Sequence, residues 1–254
     1  MFSQEQRCIY SRNQLGEVIC QLRFPEILTI NTTPPADFQE AIREDFPVYT
    51  ARKEAAVLKP GTPPQQPGMN YQFATADGVW RVNLTSRFIS LATSRYTRWE
   101  DFAAKLDKPL AAFIRVYRPA YFERVGLRYL NFISRNALDL NHTPFSALIS
   151  PAYLGLLGDP EVSETAATRA TVDAEVAIRA GCRAKIHAGP GMVRRPGQSD
   201  AEPKFILDFD LYMPGKLALN LSAGALHTLH AQAYPIFRAA ITDTLHEAME
   251  PTQI

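Results

Sequence analysis

Apolar residues recur along the chain in two rhythms: every second position in short stretches, and every third or fourth position in longer ones. Gly16–Phe24 (GEVICQLRF) predicts a first strand. Thr33-Pro34-Pro35 then predicts a helix start, with the Thr33 hydroxyl as cap and Pro34 at a first-turn position that needs no N–H. Phe38, Ala41 and Ile42 carry this helix to Asp45. Residues 58–68 (LKPGTPPQQPG) predict a loop. Tyr71–Thr75, Val79–Leu84 and Phe88–Thr93 predict a three-stranded meander. Asp77-Gly78 joins its first two strands, and glycine accepts the positive φ of a type I′ turn. Thr97-Arg98-Trp99-Glu100 matches a capping box, after which Trp99, Phe102, Leu106, Phe113 and Tyr117 keep helical spacing, with a kink expected at Pro109.

The second half follows the same order. Arg124–Ile133 predicts a strand, and Thr143-Pro144 and Ser150-Pro151 predict one or two short helices to Leu157. Ala170–Ile178 and Cys182–Ala188 alternate and predict a strand pair; 189–203 (GPGMVRRPGQSDAEP) predicts a loop, and Lys204–Tyr212 another strand. Ser222 is placed to cap a last helix running through Leu226, Phe237, Ile241 and Leu245 to Met249, bent at Pro235. These elements predict an α+β fold: one domain over 1–254 with a broad antiparallel sheet and helices mainly on one face. The repeated order is expected either from pseudo-duplicated halves, 14–118 and 121–250, or from an α+β order arising without duplication.

Composition changes this picture little. Lys plus Arg is 27 and Asp plus Glu 26, a net charge of +1 that argues against a generic nucleic-acid binder, leaving nucleic acid as an unfavoured partner. Cys8, Cys20 and Cys182 form no metal motif and no disulfide framework, which fits a reducing cytoplasm. Residues 1–12 hold Glu5, Arg7 and Arg12 without a long apolar run, so no export signal is expected. The uncharged stretch 143–158 is interrupted by Pro144, Pro151 and Gly155, and no membrane contact is expected.

The segments QLGEVICQLRF, WRVNLTSRFISLATSRYTRWEDF, PAYFERVGLRYLNFI and the terminal FILDFDLY with its following helix resemble a sporadically distributed bacterial family of about this length. The resemblance covers nearly the whole chain and is most specific at 80–102 and 122–133. It brings no established catalytic residues. It implies a cytoplasmic bacterial protein of patchy distribution, which suits accessory or mobile systems, antiviral defence among them.

Phosphate loops, dinucleotide fingerprints, nucleophile elbows and Cys-x-x-Cys pairs are all absent from the sequence. His227-x-x-His230 puts two imidazoles on roughly one helix face, a metal pair if carboxylates join from elsewhere, and otherwise a stripe with Tyr234 and Arg238 beside the core. More informative are charges two residues apart, which share a strand face: Asp173 with Glu175, Arg183 with Lys185 and His187, and Asp208 with Asp210. Lined along one groove, Asp173, Glu175, Asp208 and Asp210 are candidate metal ligands, and Arg183 and Lys185 candidate phosphate or acidic-partner contacts. Triphosphate tunnel enzymes use that logic, but their Glu-x-Glu-x-Lys strand is missing here. The alternative is the solvated face of a half-buried sheet. Charge is also segregated: 159–175 holds five acids against Arg169, whereas 179–198 holds five bases, including Arg194 and Arg195 on the expected loop, which join Arg183 and Lys185 as candidate phosphate or acidic-partner contacts. Arg23, Arg81 and Arg128 lie in strand patterns, and at least one is expected to pair with a carboxylate such as Asp208 or Asp210.

Two functions follow as expectations. One is a non-enzymatic binding protein with a protein partner or a second copy of itself. The other is a metal-dependent phosphohydrolase or nucleotide-binding protein using the charged groove. No particular cofactor is implied.

Overall fold

A computed structural model describes residues 2–3, 5–53, 68–193 and 202–253; of the loop expected at 58–68 only Gly68 is among them, and the candidates Arg194 and Arg195 lie outside them. The first half comprises β1 (Cys8–Tyr10), β2 (Leu15–Arg23), α1 (Thr29–Thr32), α2 (Ala36–Ile42), β3 (Val48–Lys53), β4 (Met69–Ala74), β5 (Trp80–Leu84), β6 (Phe88–Thr93) and α3 (Trp99–Tyr117). The second comprises β7 (Phe122–Ile133), α4 (Phe145–Leu148), α5 (Pro151–Leu154), β8 (Val172–Ala177), β9 (Arg183–Met192), β10 (Pro203–Leu217), α6 (Ser222–Ala240), α7 (Asp243–Ala248) and β11 (Pro251–Gln253). The fold is α+β, with helices packed on a nine-stranded antiparallel sheet of order β3-β4-β5-β6-β2-β7-β10-β9-β8. Each half sets one strand beside a meander, of four strands in the first half and three in the second. β2 lies beside β6, from which β5, β4 and β3 step outward; β7 lies beside β10, from which β9 and β8 step outward. A 19-residue helix follows each meander, α3 and then α6.

Contacts group the chain into two compact units, and the boundaries fall inside β2, β7, β10 and α6. The unit formed by Glu17–Leu127 and Met213–Leu226 is built on aromatic packing. Val18, Cys20 and Leu22 on β2 are buried, as are Val82 and Leu84 on β5. Phe24 packs on Phe113 at 4.6 Å between ring centroids, Phe38 meets Phe73 edge-on at 5.4 Å, and Trp80 lies 5.6 Å from Phe102. Each such side chain, once buried, contributes about 2–3 kcal/mol of transfer free energy.

Three local expectations in this unit are corrected. Thr33 does not cap α2: Pro35 holds that position without a side-chain hydrogen bond, and Thr33 instead closes α1, its N–H donating to the Thr29 carbonyl. Thr97 is not the cap of α3: Arg98 occupies that position in extended conformation, and the Thr97 hydroxyl instead donates to Asp101 Oδ2 at 2.7 Å. The Asp77-Gly78 hairpin is not a two-residue I′ turn. Among these turn residues only Gly78 has positive φ, at 70°, and its N–H bonds the Thr75 carbonyl at 2.9 Å. Asp77 Oδ1 accepts from the Thr75 hydroxyl and the Val79 N–H, and the loop is four residues long, closed by the Thr75–Trp80 bond.

The other unit joins Met1–Gly16, Arg128–Tyr212 and His227–Ile254. Alternation governs its strands. Ala184, Ile186 and Ala188 of β9 and Phe205, Leu207, Phe209 and Leu211 of β10 are buried, and the residues between them face out. Phe145 packs on Phe205 at 5.3 Å, and Tyr153 meets Phe209 edge-on. β9 runs four residues beyond Ala188, into the expected 189–203 loop, through Gly189, Pro190 and Gly191. The proline is tolerated because β8 ends opposite Ala188, so Pro190 has a strand only on its β10 side, where it pairs with Phe205. The last helix is also corrected: it breaks at Ile241, which bridges to Ile149, and Thr242 caps the separate α7 through the Leu245 N–H. Ser222 opens α6 as its first residue, its hydroxyl donating to the Leu219 carbonyl at 2.8 Å. The chain ends meet in a two-stranded ladder, β1 with β11, that the sequence pattern does not predict.

The β8–β9 connection turns on Ala180 and Gly181, with φ of 58° and 71°. A Cβ costs about 1 kcal/mol in the left-handed region. Ala180→Gly is therefore expected to stabilise the chain by about 0.5–1 kcal/mol in urea unfolding. Gly189→Ala should do the reverse, losing about 1–3 kcal/mol, because a Cβ there would lie 2.4 Å from the Ala170 carbonyl oxygen. Equal stability of all three proteins would contradict both assignments.

Candidate functional site

On the open face of β7, β10, β9 and β8 the charged residues form a ladder. Antiparallel pairing sets Asp208 opposite His187 and His187 opposite Asp173; in the next row Asp210 faces Lys185, which faces Glu175. One step further, Tyr212 pairs with Arg183. All these positions are two apart on their own strands, so the backbone period alone brings them to one face. Arg128, from β7, reaches Asp208 with two donors: its Nε lies 2.7 Å from Oδ1, and Nη2 bonds Oδ2.

Sign alternates strand by strand: base on β7, acids on β10, bases on β9, acids on β8. Together these residues line an open groove of about 510 Å³ bordered by Arg128, Asp173, Glu175, Lys185, His187 and Asp208, among others. Both acids of β8 have basic partners. His187 Nδ1 is 2.7 Å from Asp173 Oδ1, and Arg183 and Lys185 approach Glu175 at 3.7 and 4.0 Å. The Tyr212 hydroxyl donates to Glu175 as well, and the Lys185 ammonium lies 5.7 Å from the Tyr212 ring centre.

Asp208 is only 13% exposed and is held by the half-exposed Arg128. The expected strand arginine–carboxylate pair is therefore present, with the acid as its more buried member. The same logic gives Arg81 to Glu17 in the other unit.

The four acids proposed for a metal line one groove but not one point. Asp173 and Glu175 stand on β8 and Asp208 and Asp210 on β10, about 10 Å apart across two strand spacings, with the β9 bases between. Among the described residues no group of three or more His, Cys, Asp or Glu is placed to hold a metal ion. His227 and His230 diverge: His227 is exposed, whereas His230 is buried with Nδ1 hydrogen-bonded to the Tyr129 hydroxyl at 2.8 Å. Arg238, on the same stripe, is structural: it is buried and binds Glu5 at 2.6 Å, Asp243 and the Ile241 carbonyl. Tyr212 is the contributor that charge patterning misses; its place at the end of the Asp208, Asp210, Tyr212 alternation is the signal that locates it.

No family model and no curated protein matches this chain. No helix among the described residues is long and apolar enough to cross a membrane.

The Tyr212 hydrogen bond, followed by the charges of Lys185 and Arg183, holds the Glu175 carboxyl below the ordinary carboxylate range. A carboxylate held low in the folded chain stabilises it above the unfolded-chain value of about 4.3, and that contribution is lost as pH falls through the folded value. Tyr212→Phe is expected to raise the Glu175 pKa, read by carboxyl-carbon NMR titration. An unchanged titration would show that Tyr212 is not the dominant partner.

Proposed function

We propose that this chain is a non-enzymatic binding protein that engages a protein partner through the charged face of β7, β10, β9 and β8. The observation that carries the reading is the strand-by-strand alternation of sign. A phosphoryl-transfer site concentrates cation-binding acids at one point and phosphate-binding bases beside them. Here each β8 acid is engaged by a base, and the bases are spread along β9 between two acidic strands. Such a face has little net attraction for a polyanion, yet it presents a specific pattern to a surface of complementary charges. The patchy bacterial distribution implied by the family resemblance is consistent with an accessory component of a defence or mobile system, working in the cytoplasm.

The test combines a partner assay with a turnover assay. The wild-type chain and an Arg183→Glu/Lys185→Glu variant are used as baits in the native host, with Lys108→Ala as a control, since Lys108 pairs with Glu44 and Asp45 outside this face. A partner held by wild type and control but lost by the double variant is the expected result. Hydrolysis of nucleotides or phosphate esters with added Mg²⁺ or Mn²⁺, abolished by Glu175→Gln, would overturn the binding reading in favour of an enzyme.

A further inference from the structure

We infer that β8 is a docking edge that accepts an additional antiparallel or parallel strand from a partner protein, one with Lys or Arg at every second position and aliphatic residues between them. The inference rests on the binding reading above and names its partner's chemistry.

Three features converge on this edge. First, β8 is the terminal strand of the sheet, with β9 as its one neighbour among the described residues. A terminal strand directs half its backbone N–H and C=O groups away from its neighbour, and these form a ready ladder for another chain. Second, the ladder of charge stops there on an acid row. Running outward, the series is Arg128, then Asp208 and Asp210, then Arg183, Lys185 and His187, then Asp173 and Glu175. The next term is basic, and Asp173, 70% exposed, is the most open acid of the face. Third, the opposite face of the edge is apolar. Val172, Ala174 and Val176 alternate with the acids. Beside them, Gly155 lies so near Val172 that a Cβ on it would be 3.0 Å from Val172 Cγ2. The following residue, Leu156, is 69% exposed. An incoming strand with aliphatic residues on that side would extend the sheet over Leu156, while its cations would meet Asp173 and Glu175.

The same charges argue against a second copy as occupant. Pairing β8 with β8 of another molecule sets Asp173 and Glu175 against acids, which is destabilising across a strand pair. The other terminal strand, β3, has its cations Arg52 and Lys53 at adjacent positions, hence on opposite faces, and cannot present a basic row.

The experiment uses the full chain and a capped peptide of alternating lysine and valine. The comparison peptides have the same composition with lysines and valines in separate blocks, the same alternation with glutamate for lysine, and the basic alternation with N-methylated backbone amides. Fluorescence anisotropy reads affinity, and amide hydrogen exchange reads the β8 backbone. The expected result is binding of the alternating basic peptide at least about tenfold tighter than any comparison peptide, with slowed exchange confined to residues 172–177. Asp173→Asn/Glu175→Gln should weaken it by about the same factor while leaving far-strand exchange unchanged. Equal affinity for the block or N-methylated peptides reduces the effect to charge attraction and overturns strand addition. Binding unaffected by the double variant, protection elsewhere in the chain, or acid-independent dimerisation through β8 overturns it too. If the peptide arm fails while the host partner is still lost by Arg183→Glu/Lys185→Glu, strand addition fails and the binding reading survives; loss of neither means that both fail.

Discussion

The register of β9 is the constraint on which the site depends. The strand is paired on both sides, so Asp208, His187 and Asp173 form one row and Asp210, Lys185 and Glu175 the next. Side chains alternate with period two, so a slip of one residue would turn Arg183, Lys185 and His187 inward and bring Ala184, Ile186 and Ala188 to the surface. Each buried, unpaired base would cost several kcal/mol, far more than any exposed ion pair returns. The charges on this face therefore act chiefly through the arrangements they forbid. Arg183 and Lys185 approach Glu175 only at 3.7 and 4.0 Å, distances that contribute little stability but suffice to fix which strand face is wet.

Chain breaks at both ends of the ladder set its extent. Gly189 lies against the Ala170 carbonyl, where no other residue fits without a backbone shift, and Pro190 follows just where β8 has ended. A longer β8 would need a donor from Pro190 that it does not have. At the other end, Ala180 and Gly181 turn the chain back within two residues. The edge strand is thus short and acidic, two devices that keep a sheet edge from pairing indiscriminately. A device against indiscriminate pairing is also a filter for a particular partner, because the acids that repel a like strand attract a basic one.

How far the sequence foretells this depends on the range of the interaction. Alternation in KFILDFDLY and in RAKIH follows from a local steric period, so strand identity and the outward set of charges are legible from composition and spacing alone. Partner identity is not, because it depends on register between strands far apart in sequence. Tyr212 and Glu175 are separated by 37 residues and Arg128 and Asp208 by 80, and nothing local to either pair states which rows align. Of the expected arginine–carboxylate pair, the sequence supplies the residue types and the outward strand face; which arginine meets which acid, Arg128 with Asp208, is set by register. Turn and cap detail failed for a different reason. Thr97 and Asp77 each have several short-range hydrogen-bond options of similar energy, and Asp101 and Thr75 happen to supply the ones that form. The β1–β11 ladder joins the two ends of the chain through three pairs, too short a pattern to register against the background of loop residues.

A balanced face also explains how a chain with a net charge of +1 can hold a specific electrostatic site. Affinity for a polyanion grows with the number of phosphates neutralised and the counterions released, which requires a surplus of bases. On this face four acids oppose Arg128, Arg183, Lys185 and the His187 imidazole, so that surplus is missing. What remains is pattern: a surface whose sign changes every strand spacing, about 4.8 Å. Only a ligand with charges at that spacing gains from all rows at once, and a misaligned one meets like charges within a single strand step. An extended polypeptide laid along the edge continues that spacing, since as the next strand it sets its own charges one strand step from Asp173 and Glu175. A folded surface or a flexible polyanion would have to supply it by chance.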